Sequence, residues 1–474
     1  MIQEYDLVII GRGAAAFSAA IRTSEITSNQ ASIAMIGFGP IGGTCVNVGC
    51  VPSKYIIEAA KVVSTQRNPR YPGIKQSDPV VEFGKLMESL RGAVEEERKS
   101  KYEDVLKFYP NITMYEGRAS IISRDTVKVT SKLGEEDIKG YNFIIATGSS
   151  PMIPKIEGLE DTGYLTSDSV WSLNELPGEI GILGGGFVGL EIGQALHRLG
   201  SSVRIIKKHD TISRGIEREV GSELIRALEN DGISFLIGRD VEKVYQRGDK
   251  KIISTRYKGK IEEIEVDEIL IASGRKPNVA GLSLENAGIE YSDKGIKVND
   301  DFSTSNPLIY AAGDVVDQKY RLETLSAREG AIIASNIFNH SSKGINLQEV
   351  PWAIFTEPQL ASVGYTEDEY NRNFGKAVVR TIPLVMVPKA RILREDIGLF
   401  KIVADEDTGK IVGIHVLAPY AAEFIIEAVI AIKNGYTYND IIENSHIFPT
   451  VAEGIKLTSQ SFTRDMTKMS CCVE

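Results

Sequence analysis

A chain of 474 residues that is 42% hydrophobic has enough apolar material for several buried cores, and its length divides into two to four domains. Fifty-four Lys and Arg against sixty-four Asp and Glu leave a formal charge of −10, which argues against nucleic acid and anionic membrane surfaces as partners and favours small solutes. Charges break every apolar stretch before it reaches spanning length, and Glu4 and Asp6 stand where a secretory leader would carry Lys or Arg, so the expected location is the cytoplasm; four cysteines in that reducing compartment are expected to do chemistry rather than to form a framework.

The first organising segment is EYDLVIIGRGAAAFSAAIRTSE. Residues 7–10 read as a strand, Gly11 and Gly13 as a tight turn, and the alanine-rich stretch as a helix. The glycines let backbone N–H groups approach a pyrophosphate at the positive helix end, and Ala16 permits close packing of helix on strand. By itself the pattern also fits a generic glycine-rich strand–helix turn.

Next comes GGTCVNVGCVPSKYIIEAAK, with Cys45 and Cys50 separated by four residues at the start of an amphipathic helix. A disulfide across so short a loop constrains the unfolded chain only modestly, so stapling is a poor reason to have it. A helix N-terminus favours the thiolate, which is both nucleophile and soft-metal ligand, so a redox role fits better. A zinc site would want two more ligands, and none of the five histidines is near.

A second dinucleotide pattern follows in GEIGILGGGFVGLEIGQALHRLGSSVRIIKKHD: a strand over residues 180–183, a turn at Gly184, Gly186 and Gly189, a helix over 187–199 and a strand over 203–206. Two such sites in one chain imply two dinucleotides. Lys207 and Lys208 follow that second strand, where an NAD site would place an acid, so NADPH with its 2′-phosphate is expected; a solvated pair after an edge strand is the alternative. The chain ends MSCCVE. Neighbouring Cα atoms lie about 3.8 Å apart and a relaxed disulfide wants more than about 4.4 Å, which biases Cys471 and Cys472 toward metal capture without excluding redox use.

Together these motifs resemble the flavoprotein disulfide reductases of the glutathione reductase and lipoamide dehydrogenase superfamily. The likeness runs the length of the chain, through YNFIIATGSSP, ILIASGRKPN, TSNPLIYAAGDV and TEPQLASVGYTEDE. It implies an α/β fold: two Rossmann-like nucleotide-binding domains, for FAD and NADPH, with a C-terminal α+β dimerisation domain. The implied boundaries are FAD domain 1–150, NADPH domain 151–274, a second part of the FAD domain 275–345, and dimerisation domain 346–474 with the cysteine tail. Residue roles follow from the same resemblance. Cys50 would stand nearest the flavin and Cys45 would meet the substrate; Lys54 would lie beneath flavin N5, paired with Glu191. Asp314 would bind the ribityl chain, and Gly11, Gly13, Ala14, Ala15, Ala16, Gly39, Thr44, Ala119, Thr147, Gly148 and Leu322 would line FAD. Gly184, Gly186, Phe187, Val188, Lys207, Lys208, Gly274 and Arg275 complete the implied cofactor-binding set. One departure stands out: the strand IAMIG ends at Gly37, where the family usually places a Glu on the adenosine ribose.

Family members that act on organic disulfides protonate a leaving thiolate with a His just before Pro-Thr, oriented by a Glu. In SHIFPTVAEGIKL that position is Phe448 and the Glu is Glu453; His446 lies two residues earlier and is a possible substitute. Mercuric reductases resemble this chain in lacking that His and in ending with a cysteine pair followed by two residues. The resemblance implies reduction of thiol-complexed mercuric ion, with Cys45, Cys50, Cys471 and Cys472 as metal ligands and a homodimer with shared active sites. Many of that branch have Tyr at the positions of Phe187 and Phe448, and here both hydroxyls are missing. No metal-binding module precedes the first strand, so mercury would arrive from small thiols or a separate carrier. Two alternatives stand beside this: a thioredoxin-reductase-like enzyme whose tail is a redox arm, and a non-enzymatic thiol metal buffer.

Overall fold

The computed structural model describes residues 2–209, 212 and 215–468. Its first sheet is built on β1 (Gln3–Ile10), whose Leu7, Val8 and Ile9 are fully buried. Burying each such side chain contributes roughly 1.5–3 kcal/mol before entropy, and burial on both faces is what a central parallel strand requires. With β2 (Ile33–Gly37), β3 (Ile112–Glu116), β4 (Arg118–Ile121), β5 (Thr126–Ser131) and β6 (Gly134–Ile145), the order is β3-β2-β1-β6-β5-β4, and the distant strand Ile309–Ala311 also pairs with β6. The chain therefore leaves this unit and returns to it.

At Gly11, where β1 ends, φ is +144° and an added Cβ would lie 2.2 Å from the Ala146 carbonyl oxygen, so only glycine fits. The turn opens α1 (Ala14–Ile26), which packs against the helix Glu323–Phe338; a Cβ on Gly330 of that helix would stand 2.1 Å from the Ala15 carbonyl oxygen. Alanines on one helix and a glycine on the other allow this close approach.

The second sheet is parallel, ordered Ser234–Ile237, Ser202–Lys207, Glu179–Leu183, Glu268–Ile271, Leu165–Thr166, with an antiparallel meander over Asp240–Arg247, Lys250–Tyr257 and Lys260–Val266. The helix Phe187–Leu199 has the bounds expected from its sequence. The strand Ser202–Lys207, expected at an edge under the solvated-lysine alternative, is interior to its sheet. The two crossings between the sheets run side by side, Ser149–Pro151 paired antiparallel with Arg275–Pro277. The third sheet is antiparallel, ordered Trp352–Ile354, Gln359–Gly364, Ile411–Ala418, Leu399–Asp405, Ala377–Pro383, and its core includes Phe400, Ile402, Ile414 and Val416. Among the described residues no helix is long and apolar enough to cross a membrane.

The α1 contact generates a stability prediction. Gly330→Ala forces a methyl group against backbone that cannot yield, and overpacking of this kind costs about 1–3 kcal/mol. Thermal denaturation followed by circular dichroism should show a lower midpoint for Gly330→Ala, while Gly92→Ala, inside the helix Phe83–Arg98 where an added Cβ meets nothing within 4 Å, should raise it, since alanine is favoured over glycine there by about 1 kcal/mol.

Candidate functional site

The two described cysteines stand on different helices. Where the sequence led us to expect one helix, the chain forms α2 (Gly43–Val48) and α3 (Cys50–Arg67), broken at Gly49. Gly43 has φ +67°, and its Cβ position lies 2.6 Å from Gly13 Cα, so two glycines in contact press the cysteine segment onto the first turn. The break makes Cys50 the first residue of α3, at its positive end, with no acidic residue in the first turn. A hydrogen bond from the Cys45 side chain brings the Cys50 thiol down to about 7; burial opposes this and the Lys54 charge assists it. The same hydrogen bond, then burial and the charge of Cys50, drive Cys45 well above the ordinary thiol value. Cys50 therefore holds the negative charge and Cys45 the proton.

One turn along α3, Lys54 Nζ meets Glu191 Oε2 at 2.7 Å. Glu191 is on the helix Phe187–Leu199, and its other oxygen accepts the Phe355 backbone N–H at 2.9 Å. Lys54 also lies 4.3 Å from the centre of the Phe355 ring. Phe187 stacks on Trp352 with ring centroids 5.0 Å apart. These groups line a cleft of about 650 Å³ that also takes in Gly13, Ala14, Ala15, Thr44, Gly148, Val188, Arg275, Asp314 and Leu322. Toward Asp314, Ser149 Oγ donates to its carboxylate at 2.6 Å, and Arg275 Nε donates to Ser149 Oγ at 2.8 Å.

The cleft fits a dinucleotide on the chemistry of its donors. Helix α1 starts at Gly13 with neither a side-chain cap nor an acid in its first turn, which leaves backbone N–H groups for a pyrophosphate. Asp314 supplies an acceptor for hydroxyls, and Lys54 with Cys50 lines the same cleft. The helix Phe187–Leu199 begins in the same way at Gly186, after Gly184.

Other expected residues lie away from this cleft. Gly11 and Ala16 are packed beneath the turn. Gly39 follows β2, where its carbonyl accepts a hydrogen bond from Arg12, and Ala119 is on β4, paired with Val129. Thr147 spends its hydroxyl on the Asn278 carbonyl, and the Gly274 carbonyl accepts from Met152 N–H. Lys207 ends its strand buried, its stem over Gly185, where an added Cβ would be 2.8 Å from Lys207 Cδ; Lys208 is exposed and pairs with Asp240 at 2.7 Å. Phe448 and Glu453 are on the last unit. Phe448 is half exposed beside the exposed Ile447, and burial raises the Glu453 carboxyl, whose Oε2 has no hydrogen-bond partner among the described residues. His446, the possible substitute base, has both ring nitrogens engaged, by Glu427 at 2.8 Å and the Asn444 carbonyl at 3.2 Å. Cys471 and Cys472 lie outside the described residues. Among those described, no group of three or more His, Cys, Asp or Glu is placed to hold a metal.

Sequence reasoning missed Trp352, Phe355, Ser149 and Glu323. The aromatic pair in PWAIFTEP, next to the TEP motif, was the available signal for the first two. Glu323, the first residue of its helix, lines the cleft, and its charge raises both thiols.

Comparison with known proteins bears on this arrangement. The family described as pyridine nucleotide-disulphide oxidoreductase matches residues 5–330, and its dimerisation domain matches residues 350–459. Mercuric reductase of Staphylococcus aureus is 36% identical over 470 residues, covering 99% of this chain and 84% of that protein. Mercuric reductase of Streptomyces lividans is 35% identical over 474 residues, covering 99% and 98%. The HOCl-induced flavoprotein disulfide reductase RclA from Escherichia coli, solved as a Cu(II) complex, superposes with a TM-score of 0.86 at 25% identity, covering 98% of this chain and 100% of that one.

The thiol asymmetry predicts a titration. Alkylation by iodoacetamide follows the thiolate, so in reduced protein the rate at Cys50 should rise with pH to half its plateau near 7. Cys45→Ala removes the largest stabiliser of that thiolate and should move the midpoint upward, with a smaller upward move for Lys54→Met. An unchanged midpoint in Cys45→Ala would show that the hydrogen bond does not set the charge.

Proposed function

The chain belongs to the pyridine nucleotide-disulphide oxidoreductase family, a flavin enzyme drawing electrons from a pyridine nucleotide, and from that premise we propose that it uses NADPH to reduce mercuric ion to elemental mercury at Cys45 and Cys50. The observation that carries the reading is a polarised thiol pair at the floor of a dinucleotide cleft in a chain with no free imidazole at the expected base position. FAD and NADPH, when bound, supply the two electrons.

The residues divide the remaining work. Gly13, Ala14 and Ala15 offer backbone N–H groups to the flavin pyrophosphate, Asp314 accepts from its hydroxyl chain, and Lys54, held by Glu191, sets a positive charge beside Cys50. Gly186 and its helix receive the second dinucleotide, with Lys207 at its strand end favouring the 2′-phosphate. Cys45, the more strongly protonated thiol, gives up its proton on binding a soft divalent ion, since such an ion prefers two thiolates to any other ligands here. Mercuric ion and NADPH then yield elemental mercury, NADP⁺ and one proton, so no group must protonate a leaving thiolate. That balance agrees with Phe448 in place of a base and with His446 occupied by Glu427.

The tail pair Cys471–Cys472 is assigned to collecting the ion from small thiols and exchanging it onto Cys45 and Cys50. The exposed apolar surface of the last unit, Ile426, Ile430, Ile447 and Phe448, suits a homodimer in which Phe448, Glu453 and the tail serve the partner's cleft. The cytoplasm, reducing enough to keep all four thiols available, is the assigned location. A second reading, reduction of Cu(II), is favoured only by the copper-bound relative.

NADPH oxidation measured with mercuric ion, Cu(II), oxidised glutathione, lipoamide and thioredoxin decides among these. Turnover with mercuric ion and loss of volatile metal is expected, slower with NADH, and abolished by Cys50→Ser. Comparable turnover with glutathione or thioredoxin would sink the reading.

Mixed dimers test the shared site. One subunit lacks Cys45 and Cys50 and the other lacks Cys471 and Cys472, so one of the two sites is complete only if the tail acts across the dimer. Subunits without the tail pair are impaired rather than inactive, so about half of native activity is expected if the tail acts across the dimer, and no recovery above the tail-less enzyme if each tail serves its own subunit or nothing.

A further inference from the structure

In a strand–turn–helix nucleotide unit the adenosine ribose comes to the end of the second strand, where an acidic side chain accepts from its hydroxyls. Here β2 ends at Gly37, and the space beside it is filled. An added Cβ on Gly37 would lie 2.6 Å from Arg12 Cγ and 2.9 Å from its Cδ. Arg12 sits inside the Gly11–Gly13 turn, with a side chain only 9% exposed. Its Nη1 donates to the Gly39 carbonyl at 3.1 Å and to Glu116 Oε2 at 2.5 Å, and its Nη2 donates to the Tyr115 carbonyl at 3.0 Å. Its Nε has no hydrogen-bond partner among the described residues.

Glu116 ends β3, the neighbouring strand, and is the register partner of Gly37 itself. Adjacent strands lie only about 4.8 Å apart, so a carboxylate on β3 stands one strand over from the missing one. Gly39 N–H donates to Glu116 Oε1 at 3.3 Å, so the side chain is pinned from both ends. It is still 69% exposed, and each carboxylate oxygen keeps an unused lone pair. Close to Glu116 in the chain, Arg118 lies 4.0 Å from the centre of the exposed Phe38 ring.

We infer that Glu116, clamped by Arg12 across Gly37, accepts from the ribose hydroxyls of the adenosine half of the flavin dinucleotide and replaces the absent acid of β2. The inference rests on the flavin site proposed above. The hydrogen bond and charge of Arg12 hold the Glu116 carboxyl below the usual carboxylate range, which keeps it an acceptor at neutral pH. Arg12 acts as a positioning residue: it blocks an acid at 37 and aims the one at 116.

The test is equilibrium binding, read by quenching of flavin fluorescence on titrating the full-length apoprotein. The ligands are FAD, an FAD analogue lacking both ribose hydroxyls of the adenosine, and FMN, which lacks the adenosine altogether. A hydrogen bond to a charged group is worth about tenfold or more, so wild type should bind FAD roughly tenfold or more tighter than the deoxy analogue. Glu116→Gln should weaken FAD by about that factor, leave the analogue and FMN unchanged, and so erase the preference. Arg12→Gln, which unclamps Glu116, should shrink the preference in the same direction. Equal weakening of FAD and the analogue in Glu116→Gln, or a retained preference, overturns the assignment of Glu116 while the flavin site stands. Failure of wild type to bind FAD overturns both.

Discussion

The ion pair between Lys54 and Glu191 is the constraint on which the thiol end of the cleft depends, because it is where all three sheets' units meet. Lys54 comes from the cysteine helix of the first unit, Glu191 from the nucleotide helix of the second, and the Phe355 backbone N–H that completes the Glu191 shell from the third. The Glu191 side chain is 7% exposed, and a carboxylate taken that far from water costs several kcal/mol unless its oxygens are matched. Here both are. The carboxylate therefore acts as a geometric specification: the units can be assembled only in the arrangement that brings the lysine and the N–H to it together. Glu357 makes a second junction of the same kind, taking Lys61 from the cysteine helix at 2.8 Å and Arg198 from the nucleotide helix at 2.5 Å.

That arrangement fixes the electrostatics of the thiols. Cys50 gains from the helix N-terminus, from the Cys45 hydrogen bond and from Lys54, while Cys45 is half-buried and faces the charge of Cys50. Two thiols five positions apart thus differ in protonation because they stand on two different helices, with the N-terminus and the lysine both on the helix of Cys50. For a soft cation the difference is useful. Under the proposed function, one thiolate would attack an incoming complex, and the second would be released as the metal's own charge replaces the proton.

Both nucleotide units depend on the same backbone device, an uncapped helix N-terminus behind a glycine turn, but their strand ends have diverged. In the second unit Lys207 lies over Gly185, a glycine that leaves room for its stem. In the first, Arg12 lies over Gly37 and reaches Glu116 on the next strand. In each case a missing side chain on one element is what admits a long cation from another, so the glycine and the cation are one feature.

Local patterns carried most of the fold. The alternation of strand, glycine turn and helix at residues 3–26 and 179–199 needs only hydrophobic period and turn chemistry, both short-range, and the helix Phe187–Leu199 was legible to the residue. The thiol pair and the absence of a His before Pro-Thr were legible for the same reason. The split of the cysteine helix was not, because it depends on Gly49 lying against Thr44 and Cys45, a contact that periodicity does not encode. Nor was the engagement of His446, a loop residue whose partner Glu427 comes from the helix Ile426–Lys433. Trp352, Phe355 and Ser149 escaped because their roles are made by partners far away in the chain. The sequence by itself determined which elements form and which chemical groups are on hand. The tertiary structure decided which of those groups meet, since a buried charge or an emptied glycine position selects its partner by distance in space, and separation along the chain holds no record of that.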